Sequence, residues 1–212
     1  MRITGVEVFK LRPRWIFLRL KTDEGIDGWG ECVSGTRTET IVSCIQETVA
    51  EHLLNRDPQD IEDIWQCLYR YFFRGGPVHM TVISGIEMAL WDIKGKAAGL
   101  PVYQMLGGRA RDKIRVYSWI GGDRPSDVVN QAKARVTAGF TAVKLNCCAE
   151  MHYIDSFTKV EDVVERVSSI RDAVGIKLDI GIDFHGRVHK AMAKTLLREL
   201  EPFHPMFVGE PV

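Results

Sequence analysis

The sequence has no excess of charge of either sign: Lys plus Arg and Asp plus Glu both number 28, for a formal net charge of zero. That balance offers no basic surplus to hold nucleic acid or an anionic membrane. No apolar run approaches the roughly 20 residues of a membrane-spanning helix. The start, Met1-Arg2-Ile3-Thr4, alternates like a strand and lacks the long apolar core of a secretory signal, so a cytoplasmic protein is expected. Cysteine is sparse and odd in number, with Cys32, Cys44, Cys67, Cys147 and Cys148 and no C-x-x-C pair. Neither a disulfide framework nor a zinc site is indicated. Cys147-Cys148, directly after Lys144-Leu145-Asn146, reads either as a reactive thiol pair or as small residues in a loop after a strand. Low-complexity segments are absent too.

What is present is an ordinary globular composition over 212 residues, 45% hydrophobic and 26% charged. The first part reads as a β-meander. Ile3 to Leu11 and Trp15 to Thr22 alternate or run apolar, Asp23-Glu24-Gly25 turns, and Ile26 to Gly30 returns. Gly28, Gly30 and Gly35 suggest a flexible loop over Glu31 to Arg37. Three helices follow. Thr38 to Leu54 has helical apolar spacing with Thr38 as cap. Asp57-Pro58 opens a second helix with apolar face Ile61, Ile64, Trp65, Leu68 and Phe72. Met80 to Ala98 forms a third, stopped by Gly99-Leu100-Pro101. Strands followed by helices give an α+β domain.

After Gly107-Gly108 the pattern alternates: strands at Ile114 to Ile120, Thr141 to Leu145, Ile176 to Phe184 and Met206 to Val208, and helices at Asp127 to Ala138, Val160 to Ala173 and His189 to Leu200. Four strands and three helices in βαβ order predict a parallel sheet with right-handed crossovers. This is an incomplete α/β segment, half of a (β/α)8-type barrel. The predicted domains are 1–108 and 109–212.

In parallel α/β folds ligands bind at the carboxyl ends of strands. There the sequence places Lys144 and Asn146, two apart and so on one side of their strand, then Asp183 and His185 with the same spacing, and Gly209-Glu210. Asp183 suits a hard divalent ion such as Mg²⁺, and His185 suits proton transfer. Other readings stand beside these. Asp183 can cap a helix, His185 can be a loop histidine, and Arg187 can be solvated or can neutralise a carboxylate. Lys144 at an apolar strand end needs a partner or solvent. Asp123-Arg124 before Pro125 reads as a turn and helix start, and Arg74-Gly75-Gly76-Pro77 as a loop.

The segments Pro13-Arg14-Trp15, Thr22-Asp23-Glu24-Gly25, Gly28-Trp29-Gly30-Glu31, Arg74-Gly75-Gly76-Pro77 and Ala89-Leu90-Trp91-Asp92-Ile93-Lys94-Gly95-Lys96 form one series. Tyr117-Ser118-Trp119, Gly121-Gly122-Asp123-Arg124-Pro125, Lys144-Leu145-Asn146, Asp183-Phe184-His185-Gly186-Arg187 and Glu199-Leu200-Glu201-Pro202 extend it. With these the chain resembles the mandelate-racemase-like branch of the enolase superfamily, and within it the D-galactonate dehydratases. The resemblance implies a capping domain over 1–108, then a modified barrel. It implies Mg²⁺-assisted removal of the proton α to a carboxylate and loss of water to give a 2-keto-3-deoxy sugar acid. Asp183 is then the first metal ligand and His185 the acid that helps the 3-hydroxyl leave. Lys144 and Asn146 orient the substrate carboxylate. Loops at Glu31 to Arg37 and at Arg74 would close over the sugar chain.

Two departures qualify this expectation. Where the family carries Glu-Glu-Pro this chain has Gly209-Glu210-Pro211. A strand that continues through Glu210 puts its side chain on the face opposite position 209, leaving Asp183 as the single anchoring carboxylate. The family's third metal ligand and the histidine that takes the α-proton belong to later strands. The expected activity is therefore that of an acid-sugar dehydratase, truncated and inactive alone. A non-catalytic degraded-gene product or assembly partner, and a dehydratase or epimerase of another acid sugar complemented in trans, are the alternatives. An open half-barrel exposes its edge and inner-face side chains, with Val116, Val143 and Ile180 expected among them, and so predicts self-association or a homo-oligomer.

Overall fold

The structure is a computed structural model describing residues 1–33, 35–71, 75–122, 124–149 and 151–211. Phe72, the Arg74 end of its loop and Asp123 lie outside the described residues. The chain divides into two compact units, Met1–Asp112 and Lys113–Val212.

In the first unit, β1 (Ile3–Leu11), β2 (Trp15–Thr22) and β3 (Gly28–Glu31) form an antiparallel sheet in sequence order. Period-two alternation in β2 buries Ile16, Leu18 and Leu20 on one face. Helices α1 (Thr38–His52), α2 (Ile61–Tyr71), α3 (Pro77–Ala98) and the short α4 (Val102–Met105) follow. Ile41, Ile45, Ile64, Leu68, Ile83, Ile86 and Leu90 join the strand residues in one core.

Three boundaries differ from the sequence expectation. Thr38 is the first helical residue of α1, and Arg37, in the left-handed region, is the cap without a side-chain bond. Asp57-Pro58 does not open α2: the Gln59 N–H donates to Asp57 Oδ1 at 2.9 Å, a local turn that competes with the helix until Ile61. Helix α3 begins at Pro77, where proline's missing N–H costs nothing, and ends on Gly99 at φ 66°. Gly30 lies in β3, as the returning strand Ile26 to Gly30 predicts, and packs against α3. A Cβ there would overlap the Gly85 carbonyl oxygen.

The second unit alternates β4 (Ser118–Trp119), α5 (Pro125–Thr137), β5 (Ala142–Asn146), α6 (Phe157–Val174), β6 (Asp179–Asp183), α7 (Lys190–Leu200) and β7 (Phe207–Gly209). A 3₁₀ turn, Glu201–Phe203, precedes β7. The strands are parallel in the order β4-β5-β6-β7. Of the expected strand Ile114 to Ile120 only Ser118–Trp119 pairs; among the described residues it has one neighbour, β5, and Val116 is exposed.

The register decides the faces. Val143, Leu145, Ile180 and Ile182 point to the helices and are fully buried with Val163, Val167 and Leu196. Val143 and Ile180 are therefore not open inner-face residues, which corrects the sequence expectation. It counted them on the wrong side of the pleat. The other face carries Lys144, Asn146, Gly181, Asp183, Phe207 and Gly209 by alternation. The Phe207 ring lies over Gly181 and 5.7 Å from the Tyr117 ring, covering the lower part of that face.

Candidate active site

The parallel pairing sets Asn146 beside Asp183 and Asp183 beside Gly209, so all three strand ends meet at one rim. Asp183 is 3% exposed, and its carboxylate is bound on both sides. The Lys144 ammonium pairs with Oδ2 from the neighbouring strand. The His185 backbone N–H donates to Oδ1 at 2.7 Å, and His185 Nδ1 lies 3.4 Å from Oδ2. Burial pushes the Asp183 carboxyl up, but the bonds from Lys144 and the His185 N–H, with the charges of both residues, outweigh it and hold it below the usual carboxylate value. Asp183 thus caps no helix. The cap of α7 is His189, whose Nδ1 accepts from the Ala191 N–H at 3.4 Å.

After β6 the chain turns sharply. His185 at φ 53° and Gly186 at φ 63° are both left-handed, which swings the half-exposed imidazole back over Asp183. Arg187 is exposed, and its Nη1 donates to the Cys148 carbonyl at 3.2 Å; among the described residues no carboxylate pairs with it. Arg124 pairs with Asp127 in the first turn of α5.

Glu210 departs most from the sequence expectation. Strand β7 stops at Gly209, and Glu210 takes φ 50° instead of continuing the pleat. That inversion sends its carboxylate toward β6. Ligand atoms of Asp183, His185 and Glu210 all lie within 4.8 Å of one another. Two carboxylates therefore converge where alternation left one. The Gly-Glu-Pro tripeptide gave little signal: the glycine loosens the strand end, but a proline favours an extended residue before it, and Glu210 departs from that preference. Position 209 is open: a Cβ there would meet Asp183 Oδ1 at 3.7 Å and the Ile182 carbonyl oxygen at 3.7 Å, ordinary contacts.

With this geometry in place, the likeness to known proteins is specific. The chain is 53% identical over 213 residues to a D-galactonate dehydratase of Pectobacterium atrosepticum and 51% identical to one of Ralstonia pickettii. In both cases 100% of this chain is covered, and it spans 56% of the relative's length. Among solved structures, a member of the enolase superfamily from Salmonella Typhimurium superposes with TM-score 0.91 at 29% identity over 100% of this chain and 62% of its own. An enolase from Pantoea ananatis with bound d-gluconate and Mg superposes with TM-score 0.88 at 29% identity, over 100% of this chain and 60% of its own. The pattern described as mandelate racemase / muconate lactonizing enzyme, N-terminal domain, matches residues 10–107, and that described as enolase C-terminal domain-like matches residues 127–212. The two patterns together cover both units, a meander with helices and a parallel sheet with helices, and the chain belongs to the mandelate racemase / muconate lactonizing enzyme family of the enolase superfamily.

Proposed function

We propose that residues 1–108 and 109–212 are the capping domain and first barrel segment of an acid-sugar dehydratase acting on D-galactonate or a related hexonate with Mg²⁺. The observation that carries this reading is the convergence of Asp183, His185 and Glu210 within 4.8 Å at the carboxyl end of the parallel sheet. The relatives named D-galactonate dehydratase and the gluconate-bound neighbour support the substrate class.

The residues fit a hydrated divalent ion. Mg²⁺ is usually held by one or two carboxylates and keeps several waters, and Asp183 and Glu210 supply two. The Lys144 ammonium on Asp183 is a stand-in cation at the same carboxylate. Once bound, the ion would supply positive charge for the anion that develops as the α-proton of a sugar acid leaves.

The side chains then divide the work. Lys144, released from Asp183, and Asn146, beside it, orient the substrate carboxylate on the polar face. His185 donates a proton to the departing 3-hydroxyl, so that it leaves as water. It is the one imidazole in the cluster, so the described cluster supplies this acid without a separate base. We infer that the 212-residue chain alone does not turn over. Gly209 favours a second reading, a non-catalytic assembly partner, because no side chain at that rim position can ligate.

A chimaera separates them. This chain replaces the matching part of the Pectobacterium atrosepticum dehydratase, and formation of the 2-keto-3-deoxy acid from D-galactonate is assayed. The dehydratase reading predicts turnover that rises with Gly209→Glu and is lost with His185→Asn. A folded Gly209→Glu chimaera without turnover supports the non-catalytic reading.

No helix among the described residues is long and apolar enough to cross a membrane.

A further inference from the structure

The first strand of the second unit brings one more side chain to the rim. Ser118 pairs with Val143 and Trp119 with Lys144, so Trp119 shares the polar face with Lys144 while Ser118 turns to the helix side. Across the sheet that row runs Trp119, Lys144, Gly181 and Phe207. Gly181 has no side chain, and the Phe207 ring lies over it. What the row offers a ligand is then an ammonium and an indole on neighbouring strands. Trp119 is 58% exposed, and none of the dehydration steps uses it.

The indole has a set direction. The Ile120 N–H donates to the Lys144 carbonyl at 2.9 Å, which carries the parallel ladder past Trp119 toward the rim. Gly121 comes next, and the Trp119 ring leans over it: a Cβ at position 121 would fall 2.2 Å from Cη2 and 2.7 Å from Cζ2. The glycine is itself pinned. Its N–H donates to Gln131 Oε1 at 3.2 Å, and Gln131 Nε2, from α5, donates to its carbonyl. The benzo ring of the indole is thereby held toward the carboxyl end of the strands, where Asn146 and Asp183 meet.

Given the dehydratase reading, on which this rests, we propose that Trp119 is a substrate-contacting residue of the acid-sugar site. It forms an aromatic wall that packs on the carbon chain beside the carboxylate oriented by Lys144 and Asn146. Ligand sites combine apolar and aromatic lining with a few placed polar groups, and an indole face offers a large apolar surface to C–H groups. The ring also keeps water from one side of the Lys144 ammonium, and a lower local dielectric strengthens its pull on a carboxylate. A carboxylate attached to a carbon chain gains from both effects, whereas a bare inorganic anion gains from the charge alone.

The tryptophans are Trp15, Trp29, Trp65, Trp91 and Trp119, and only Trp119 lies in the second unit. The indole N–H peak missing from the proton–nitrogen correlation spectrum of Trp119→Phe therefore identifies it. D-galactonate with Mg²⁺ is titrated into the native 212-residue chain at fixed protein concentration, with sodium chloride as the ionic-strength control. The Trp119 indole peak is expected to move together with the backbone peaks of Lys144, Asn146 and Asp183, and the other indole peaks to stay. Trp119→Ala is expected to weaken binding about three- to tenfold and Trp119→Phe to keep it within about twofold. Gly121→Ala, whose methyl displaces the ring, is expected to weaken binding in the same direction. Far-UV circular dichroism verifies that the variants fold. If the rim backbone peaks follow D-galactonate while the Trp119 indole stays, or folded Trp119→Ala binds as tightly as the native chain, the aromatic wall is overturned and the dehydratase reading stands. If no rim peak moves, the substrate assignment fails, and the aromatic wall with it.

Discussion

The Lys144 ammonium sits on the Asp183 carboxylate across the β5–β6 pair, so the buried acid of the rim carries its own counter-ion. Lys144→Met leaves that carboxylate without its strongest partner, and the expected loss is about 1–3 kcal/mol of stability. An ion at the rim replaces the missing charge. Excess Mn²⁺ is therefore expected to raise the thermal midpoint of Lys144→Met more than that of the native chain. Equal shifts in the two proteins would mean that ammonium and metal do not compete for Asp183.

Gly209→Glu adds a third carboxylate at a position whose Cβ has only ordinary contacts with Asp183 and Ile182. Divalent-ion affinity follows ligand charge count, so calorimetry with Mn²⁺ is expected to show on the order of tenfold tighter binding. Glu210→Gln removes the carboxylate that the left-handed turn brings in. It is expected to weaken binding by a similar factor.

Asp27, outside the candidate site, gives a pH prediction. Its carboxylate accepts from Arg19 Nε at 2.9 Å and from the Thr22 N–H at 3.0 Å. Burial pushes it up, and the bonds from Thr22 and Arg19 bring it below the usual value. The folded pKa lies below the unfolded one. Its contribution is therefore present above the unfolded pKa, about 3.9, and is lost as pH falls through the folded value. Asp27→Asn is expected to cost about 1–2 kcal/mol near neutrality, a difference that shrinks below pH ~4 and closes in stronger acid. Urea titrations across pH measure it; a pH-independent difference would contradict it.

Self-association is expected through the outer strand β4 and the segment just before it, where Trp119 and Val116 are 58% and 59% exposed. Sedimentation velocity should show the average mass rising with concentration, and Trp119→Glu should suppress the rise.

The hairpin was legible in the sequence to the residue. Trp15–Thr22 alternates cleanly because one face is buried, while Ile3–Leu11 buries only Ile3 and was read from its apolar, β-branched content and the turn that follows. The four-strand, three-helix order of the second unit was equally plain, since short apolar runs alternate there with stretches of helical apolar spacing. The Lys144, Asn146 and Asp183 grouping followed from spacing alone, because strand ends converge in a parallel sheet. Val143 and Ile180 were put on the inner face although period-two alternation from Lys144 and Asp183 assigns them to the helix side. What else escaped depends on contacts that a period cannot encode. The β4 strand was overextended because pairing needs a neighbour that propensity does not see. Glu210 was misplaced because a single left-handed residue reverses the alternation beyond it.

The most direct measurement is Mn²⁺ binding by electron paramagnetic resonance to the native chain and to Asp183→Asn. The account predicts one ion per native chain, its signal changed by D-galactonate, and loss of that binding in a folded Asp183→Asn variant. Undiminished binding in that variant, or no bound ion in the native chain, would contradict the assignment of Asp183, His185 and Glu210 as a metal-dependent acid-sugar centre.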